Sequence, residues 1–166
     1  MNVDIVNAYT DGSLIRKGRL ILCGYGIYFP GKEHKPLSKE FTHEPITNNR
    51  AELYAILKTI HICVKLNLDR IKENKNQIKI LNIYSDSEYS VKTFNEWLPK
   101  WKISKKEYMN KDIIDAVDYY LESALFKINF IHVRAHTGKK DIHSLNNEIV
   151  DKLARDGALK LLNNNK

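Results

Sequence analysis

Apolar positions along this chain follow two rhythms. Residues 3–10, VDIVNAYT, form a dense run of β-branched and aromatic side chains that predicts a buried strand, ending at the turn signal Asp11-Gly12-Ser13. A second strand is predicted from about Leu20 to Phe29, with Arg16, Lys17, Gly18 and Arg19 at a basic hairpin tip between the two. Pro30-Gly31 closes it before a short polar strand near Leu37 to Thr42. Tight turns between these three imply an antiparallel meander. The period then changes: Leu53, Ile56, Leu57, Ile60 and Val64 share one helical face, which predicts a helix from about Asn49 to Leu66. After the polar residues 69–77, IKILNIYS (78–85) predicts a buried strand ended by Asp86-Ser87, with Ser85 or Asp86 capping a short helix through Trp97. Pro99 opens a stretch that breaks both rhythms. Asp112 is placed to cap a helix bearing Ile113, Ile114, Val117, Leu121 and Leu125, and KINFIHVR (127–134) alternates like a strand. A flexible segment is expected over 135–145. The last helix, roughly Asn147 to Leu162, presents Val150, Leu153, Ala154, Ala158 and Leu161 inward.

The order β-β-β-α-β-α-α-β-α begins as a meander and continues with helical crossovers. It predicts the α/β class: a five-stranded mixed sheet, three antiparallel strands followed by parallel ones, with helices on its faces. A chain of 166 residues is one domain's length and buries roughly 70% of its extendable surface. With 43% apolar and 28% charged residues, the composition excludes a disordered chain. Lys and Arg (27) exceed Asp and Glu (20), a net charge of +7 that favours a polyanionic partner. The segment 99–111, PKWKISKKEYMNK, holds five lysines and one glutamate, so more than half of that excess is concentrated there. Two distant cysteines, Cys23 and Cys63, suggest a reducing compartment. No apolar run approaches the ~18 residues of a membrane span, and the first residues lack a signal peptide's pattern. The expectation is a mature, cytoplasmic protein with no membrane association, monomeric by default.

Four acidic residues strain a purely structural account: Asp11 and Asp86 at strand ends, Glu52 in the first long helix and Asp151 in the last, each beside apolar neighbours. Parallel pairing of the first and fourth strands would bring Asp11 and Asp86 to one sheet edge, where ligands of open α/β sheets collect. Carboxylates gathered there repel one another unless a cation intervenes. Hard oxygen ligands without a cysteine cluster point to Mg²⁺ or Mn²⁺. Taken singly, Asp11-Gly12 also reads as a turn and Glu52 as a helix-surface charge. His132 and His136 have the spacing of a helical zinc pair, but the alternation around them argues strand and then loop. No GxxxxGK, HExxH or GxSxG pattern occurs.

In order along the chain, YTDGS (9–13), TNNRAELYAI (47–56), IYSDSEY (83–89), HVRAHTG (132–138) and NEIVDKLAR (147–155) resemble the blocks of type 1 ribonuclease H. The resemblance spans about residues 3–160 and is to a stand-alone form with a basic substrate-binding handle. It implies the ribonuclease H-like fold, with helices on both faces of the sheet. It also implies an endonuclease that cuts the RNA strand of RNA/DNA hybrids, with two divalent metals on Asp11, Glu52, Asp86 and Asp151. Ions ~4 Å apart would activate water and stabilise the departing 3′ oxygen, leaving 5′-phosphate and 3′-hydroxyl ends. His136 matches the family histidine tied to leaving-group protonation or product departure, and Ser13 and Asn147 are supporting residues.

The same resemblance implies that Asn48 and Asn49 contact the hybrid's minor groove, where amides suit a 2′-hydroxyl as donor and acceptor at once. Thr47 matches a DNA-phosphate ligand and can also cap the helix. Glu88 stands where several relatives have Gln, so it accepts a hydrogen bond but cannot donate one. Lys100, Lys102, Lys105 and Lys106, with Trp101 interleaved, resemble the handle (about 99–111) that follows DNA-strand phosphates. One departure is RKGRLILCGYG, which lacks the Gly-, Asn- and Pro-rich turn of many relatives. Rival readings are a catalytically inactive hybrid-binding protein and a DNA nuclease or transposase-type member of the same superfamily.

Overall fold

The computed structural model describes residues 4–134 and 140–164. The strands are β1 (Ile5–Lys17), β2 (Leu20–Tyr28), β3 (Leu37–Glu40), β4 (Ile80–Ser85) and β5 (Lys127–His132). The helices are α1 (Asn48–Lys72), α2 (Glu88–Lys92), α3 (Leu98–Ser104), α4 (Lys111–Ser123) and α5 (Ile142–Asn164). The sheet runs β3-β2-β1-β4-β5, antiparallel from β3 to β1 and parallel from β1 to β5, as the element order predicts.

Side-chain alternation assigns each sheet face its helix. Tyr25 meets Tyr54 of α1 edge to face at 5.2 Å, whereas Gly24 and Gly26 turn the other way and lie under α5. On the α1 side the core joins Val6, Ala8, Leu81 and Ile83 of the strands to Ile56 and Ile60, with Ile114 and Val117 of α4 packed behind. On the α5 side the approach is backbone to backbone. A Cβ on Gly24 would sit 2.1 Å from the Ala158 nitrogen and 2.6 Å from the Ala154 oxygen.

Six expectations are corrected. β1 does not stop at Asp11. Its parallel pairing with β4 ends at Thr10 and Ser85, but antiparallel pairing with β2 carries it on to Lys17, so Asp11-Gly12 is strand and the hairpin turn is at Gly18, φ +60°. α1 runs past Leu66 to Lys72, held where its apolar stripe ends by Asn67, whose buried Oδ1 accepts the Ile78 N–H at 2.7 Å. Pro99 does not end the helical path. A π-helical turn over 93–97 interrupts the ladder first, and Pro99 falls in the opening turn of α3, where its missing N–H is tolerated. Asp112 is not the cap of α4: Asn110 holds that place, and Asp112 instead pairs with Arg50. α5 begins at Ile142, inside the segment expected to be flexible, with Asp141 Oδ1 accepting the Ser144 N–H at 2.9 Å. Leu125, expected on the inner face of α4, lies beyond its end and is 67% exposed.

Gly24→Ala is expected to force α5 off the sheet and cost about 3 kcal/mol, seen as a lower urea midpoint with an unchanged m-value.

Candidate active site

The register of β1 on β4 builds the site. Because the two strands stay paired through Thr10 and Ser85, their next residues, Asp11 and Asp86, emerge side by side at the end of the parallel half of the sheet. Glu52 arrives from the other face on the first turns of α1. Gly12 permits this, since a Cβ there would come within 2.8 Å of the Glu52 nitrogen. Thr47 caps α1, its hydroxyl accepting the Arg50 N–H at 3.1 Å. One carboxylate oxygen each of Asp11, Glu52 and Asp86 lies within 4.8 Å of the others.

Without a cation this arrangement opposes ionisation. Asp11 and Glu52 are both 3% exposed. Burial raises the pKa of each well above the carboxylate range, and neighbouring negative charge, including that of Asp151, raises both further. Asp11 and Glu52 answer by hydrogen-bonding each other, and the Gly12 N–H donates to Glu52. Even so, Glu52 Oε2 is buried with no partner. An unpartnered carboxyl oxygen among converging carboxyl groups is the donor set that a hard divalent cation would ionise and bind, so Mg²⁺ or Mn²⁺ fits.

Asp151 stands outside that close trio, on α5, bound to Arg155 at 3.0 Å. Asn147, one turn earlier, donates to Asp86 Oδ2 across 3.4 Å. Ser13 lies on β1 opposite Gly24, on the α5 face with Asp11. His136 lies outside the described residues. Thr47, Asn48 and Asn49 are exposed at the start of α1. Glu88 opens α2, exposed and paired with Lys92 at 2.7 Å.

The expected basic handle is a folded element. Trp101 stacks on Tyr108 at 4.8 Å and 11°, closing α3 back on the following loop. Lys100, Lys105 and Lys106 are exposed and carry no ion pair among the described residues. Lys102 is engaged by Asp118 and Glu122, at 3.0 and 2.5 Å. A groove of about 480 Å³ runs between the handle and α1, lined by Thr47, Asn49, Tyr89, Trp97, Trp101 and Lys106 among others.

Two features escaped the sequence reading. Arg50, 3% exposed, grips Asp112 through two bonds of 2.8 Å and anchors the N-terminal turns of α1 to α4. Tyr9 and Tyr84, two residues before Asp11 and Asp86 on the same face, stack at 4.7 Å under His143 of α5. The period of two in β1 and β4 is the signal for the tyrosine pair. Nothing in sequence spacing brings His143 to it.

A mixed sheet that gathers carboxylates at the end of its parallel strands defines an α/β protein with a candidate divalent-cation site. The chain belongs to the RNase H family, whose profile matches residues 4–159. It is 36% identical over 141 residues to the probable ribonuclease H of Acanthamoeba polyphaga mimivirus, covering 81% of this chain and 58% of that protein. It is 34% identical over 163 residues to ribonuclease HI of Campylobacter jejuni, covering 96% of this chain and 95% of that one. The chain thus spans little more than half of the viral relative and nearly all of the bacterial one. A foamy viral protease-reverse transcriptase in complex with RNA/DNA hybrid shares the fold, with a TM-score of 0.68 at 23% identity, over 93% of this chain and 20% of that one.

The raised pKa of Asp11 has a sign that can be tested. Its unfolded counterpart titrates near ~4, so in chelator the folded state loses stability as pH rises above that value toward the folded pKa. The wild-type melting temperature in EDTA should fall from pH 5 to pH 8. Asp11→Asn should flatten that slope and melt several degrees higher at pH 8, about 2–4 °C per kcal/mol. Mg²⁺ should raise the wild-type value more than the variant's, read by calorimetric scans.

Proposed function

We propose that this chain is an endonuclease that hydrolyses the RNA strand of RNA/DNA hybrids, acting as a cytoplasmic monomer. The observation that carries this reading is the trio Asp11, Glu52 and Asp86 within 4.8 Å, with one buried oxygen unpartnered, beside the exposed amides of Asn48 and Asn49. Family membership supports it, as does the hybrid bound by a protein of the same fold.

Asp11, Glu52 and Asp86, with Asp151 completing the set from α5, would hold two Mg²⁺ ions, Mn²⁺ being the alternative. Ions bound there supply activation of the attacking water and stabilisation of the departing 3′ oxygen. Water adds at phosphorus and the bond to the 3′ oxygen breaks, leaving a 5′-phosphate and a 3′-hydroxyl. His136 is proposed to assist protonation of the leaving group or product departure.

Substrate choice rests with the start of α1. The Thr47 cap fixes the orientation of Asn48 and Asn49, whose amides can both donate to and accept from a 2′-hydroxyl in the wide minor groove of an A-like duplex. Glu88 adds an acceptor at the edge of that surface. Thr47 and the handle face the DNA strand, with Lys100, Lys105 and Lys106 following its phosphates. Lys102, already neutralised by two carboxylates, contributes less.

The deciding assay incubates wild type and Asp11→Asn with labelled hybrid, double-stranded RNA and double-stranded DNA, in Mg²⁺ or EDTA. Wild type should cut only the RNA of the hybrid and only with metal, while Asp11→Asn should lose about a thousandfold or more in kcat, equivalent to several kcal/mol. Hybrid binding without cleavage would select the inactive binder, and DNA cleavage the other rival. Replacing Lys100, Lys105 and Lys106 by Ala should lower the slope of log binding constant against log salt by up to ~0.9 per residue. Lys102→Ala alone should change it by much less.

A further inference from the structure

We infer that the Tyr9 hydroxyl is a positioning group that clamps the first turn of α5 to the carboxylate-bearing strands, holding Asn147 and Asp151 at the site. The inference rests on the proposed nuclease reading and deepens it.

Asp11, Glu52 and Asp86 come from elements tied together by sheet pairing and by the Gly12 contact. The fourth carboxylate and its supporting amide come from α5, whose first turn follows a segment outside the described residues and makes no strand pairing. Something must set that turn against the sheet. Tyr9 lies on the same face of β1 as Asp11 and is 2% exposed. Its ring stacks on Tyr84 of β4, two residues before Asp86, at 4.7 Å and 15°. Its hydroxyl lies 2.5 Å from His143 Nδ1, and the Asn146 side chain hydrogen-bonds the same oxygen.

The two contacts are complementary. An amide N–H of Asn146 donates to the phenol oxygen, and the phenol O–H donates to the imidazole nitrogen. His143 and Asn146 are three residues apart, so one hydroxyl grips one face of a single helical turn. The His143 ring closes over the pair, 5.0 Å from Tyr84 and 5.9 Å from Tyr9. Asn146 is buried, and the next residue, Asn147, reaches Asp86. Asp151 follows one turn later. A rotation of this turn would therefore carry Asn147 away from Asp86 and swing Asp151 relative to the trio. Stacking alone holds the tyrosine rings but cannot set the rotation of α5, whereas directed hydrogen bonds can.

Tyr9→Phe separates the two roles, because it keeps the stack and removes only the clamp. It should lower kcat on the hybrid about tenfold, as a small misplacement of reacting groups does, and leave KM unchanged. In the absence of substrate it should weaken Mg²⁺ binding several-fold by titration calorimetry and speed amide exchange over 144–147, with little change in melting temperature. His143→Ala should reproduce these effects. His143→Asn, whose amide can meet the hydroxyl where Nδ1 does, should restore most of the loss.

If Tyr9→Phe and His143→Ala match wild type in kcat, Mg²⁺ affinity and exchange, or lose activity only in proportion to lost folded protein, the inference is overturned. A wild-type protein that fails to cut hybrid would instead count against the nuclease reading. The calorimetry and exchange would still decide the clamp.

Discussion

Burial of carboxylates, sharpened by their mutual repulsion, governs this site. Asp11 and Glu52 are removed from water and set against each other and Asp86, an arrangement that disfavours the ionised forms of Asp11 and Glu52 unless positive charge is supplied from outside. Folding must hold the three together against that cost. It does so with the least yielding parts of the structure: the paired ends of β1 and β4, and the N-terminal turns of α1 pressed onto Gly12. The ion pair of the buried Arg50 guanidinium with the exposed Asp112 secures the same turns to α4.

A second division separates the buried carboxylates from the exposed polar surface beside them. The carboxylates face the parallel edge of the sheet, while the polar N-terminus of α1 and the lysines of the handle are exposed on a neighbouring surface. Both draw on the same helix: Glu52 points inward to the trio, and Asn48 and Asn49, a turn earlier, stay in solvent. A single capped turn, fixed by Thr47 and Arg50, thereby sets the distance between those exposed amides and the carboxylate trio by the geometry of one helix. The handle keeps its shape through aromatic stacking, which leaves its outer lysines free to meet a polyanion.

Local pattern carried most of this. Dense β-branched runs, the 3.6-residue stripe of α1 and the alternation of β5 announced the sheet and its helices, because burial on one face imposes a period that survives in sequence. The acidic positions stood out for a related reason, being charges next to residues that must be buried. Where the reading failed, a partner distant in sequence had overruled a local signal. Asp11-Gly12 looks like a turn, yet β2 supplies a strand opposite it. Asp112 looks like a cap, yet Arg50 claims it. Pro99 looks like a stop, yet a π-helical turn absorbs it.

The amino-acid order by itself determined the class of fold and the family, and it singled out four carboxylates as candidates, since each is written in spacing or composition over short stretches. Only the tertiary structure decided which three of those carboxylates converge, which handle lysine is neutralised, and that His143 and Asn146 close on Tyr9 from across the chain. Such relations depend on the register of strands and the rotation of a helix, and these are set by packing between segments whose separation along the chain holds no record of their distance in space.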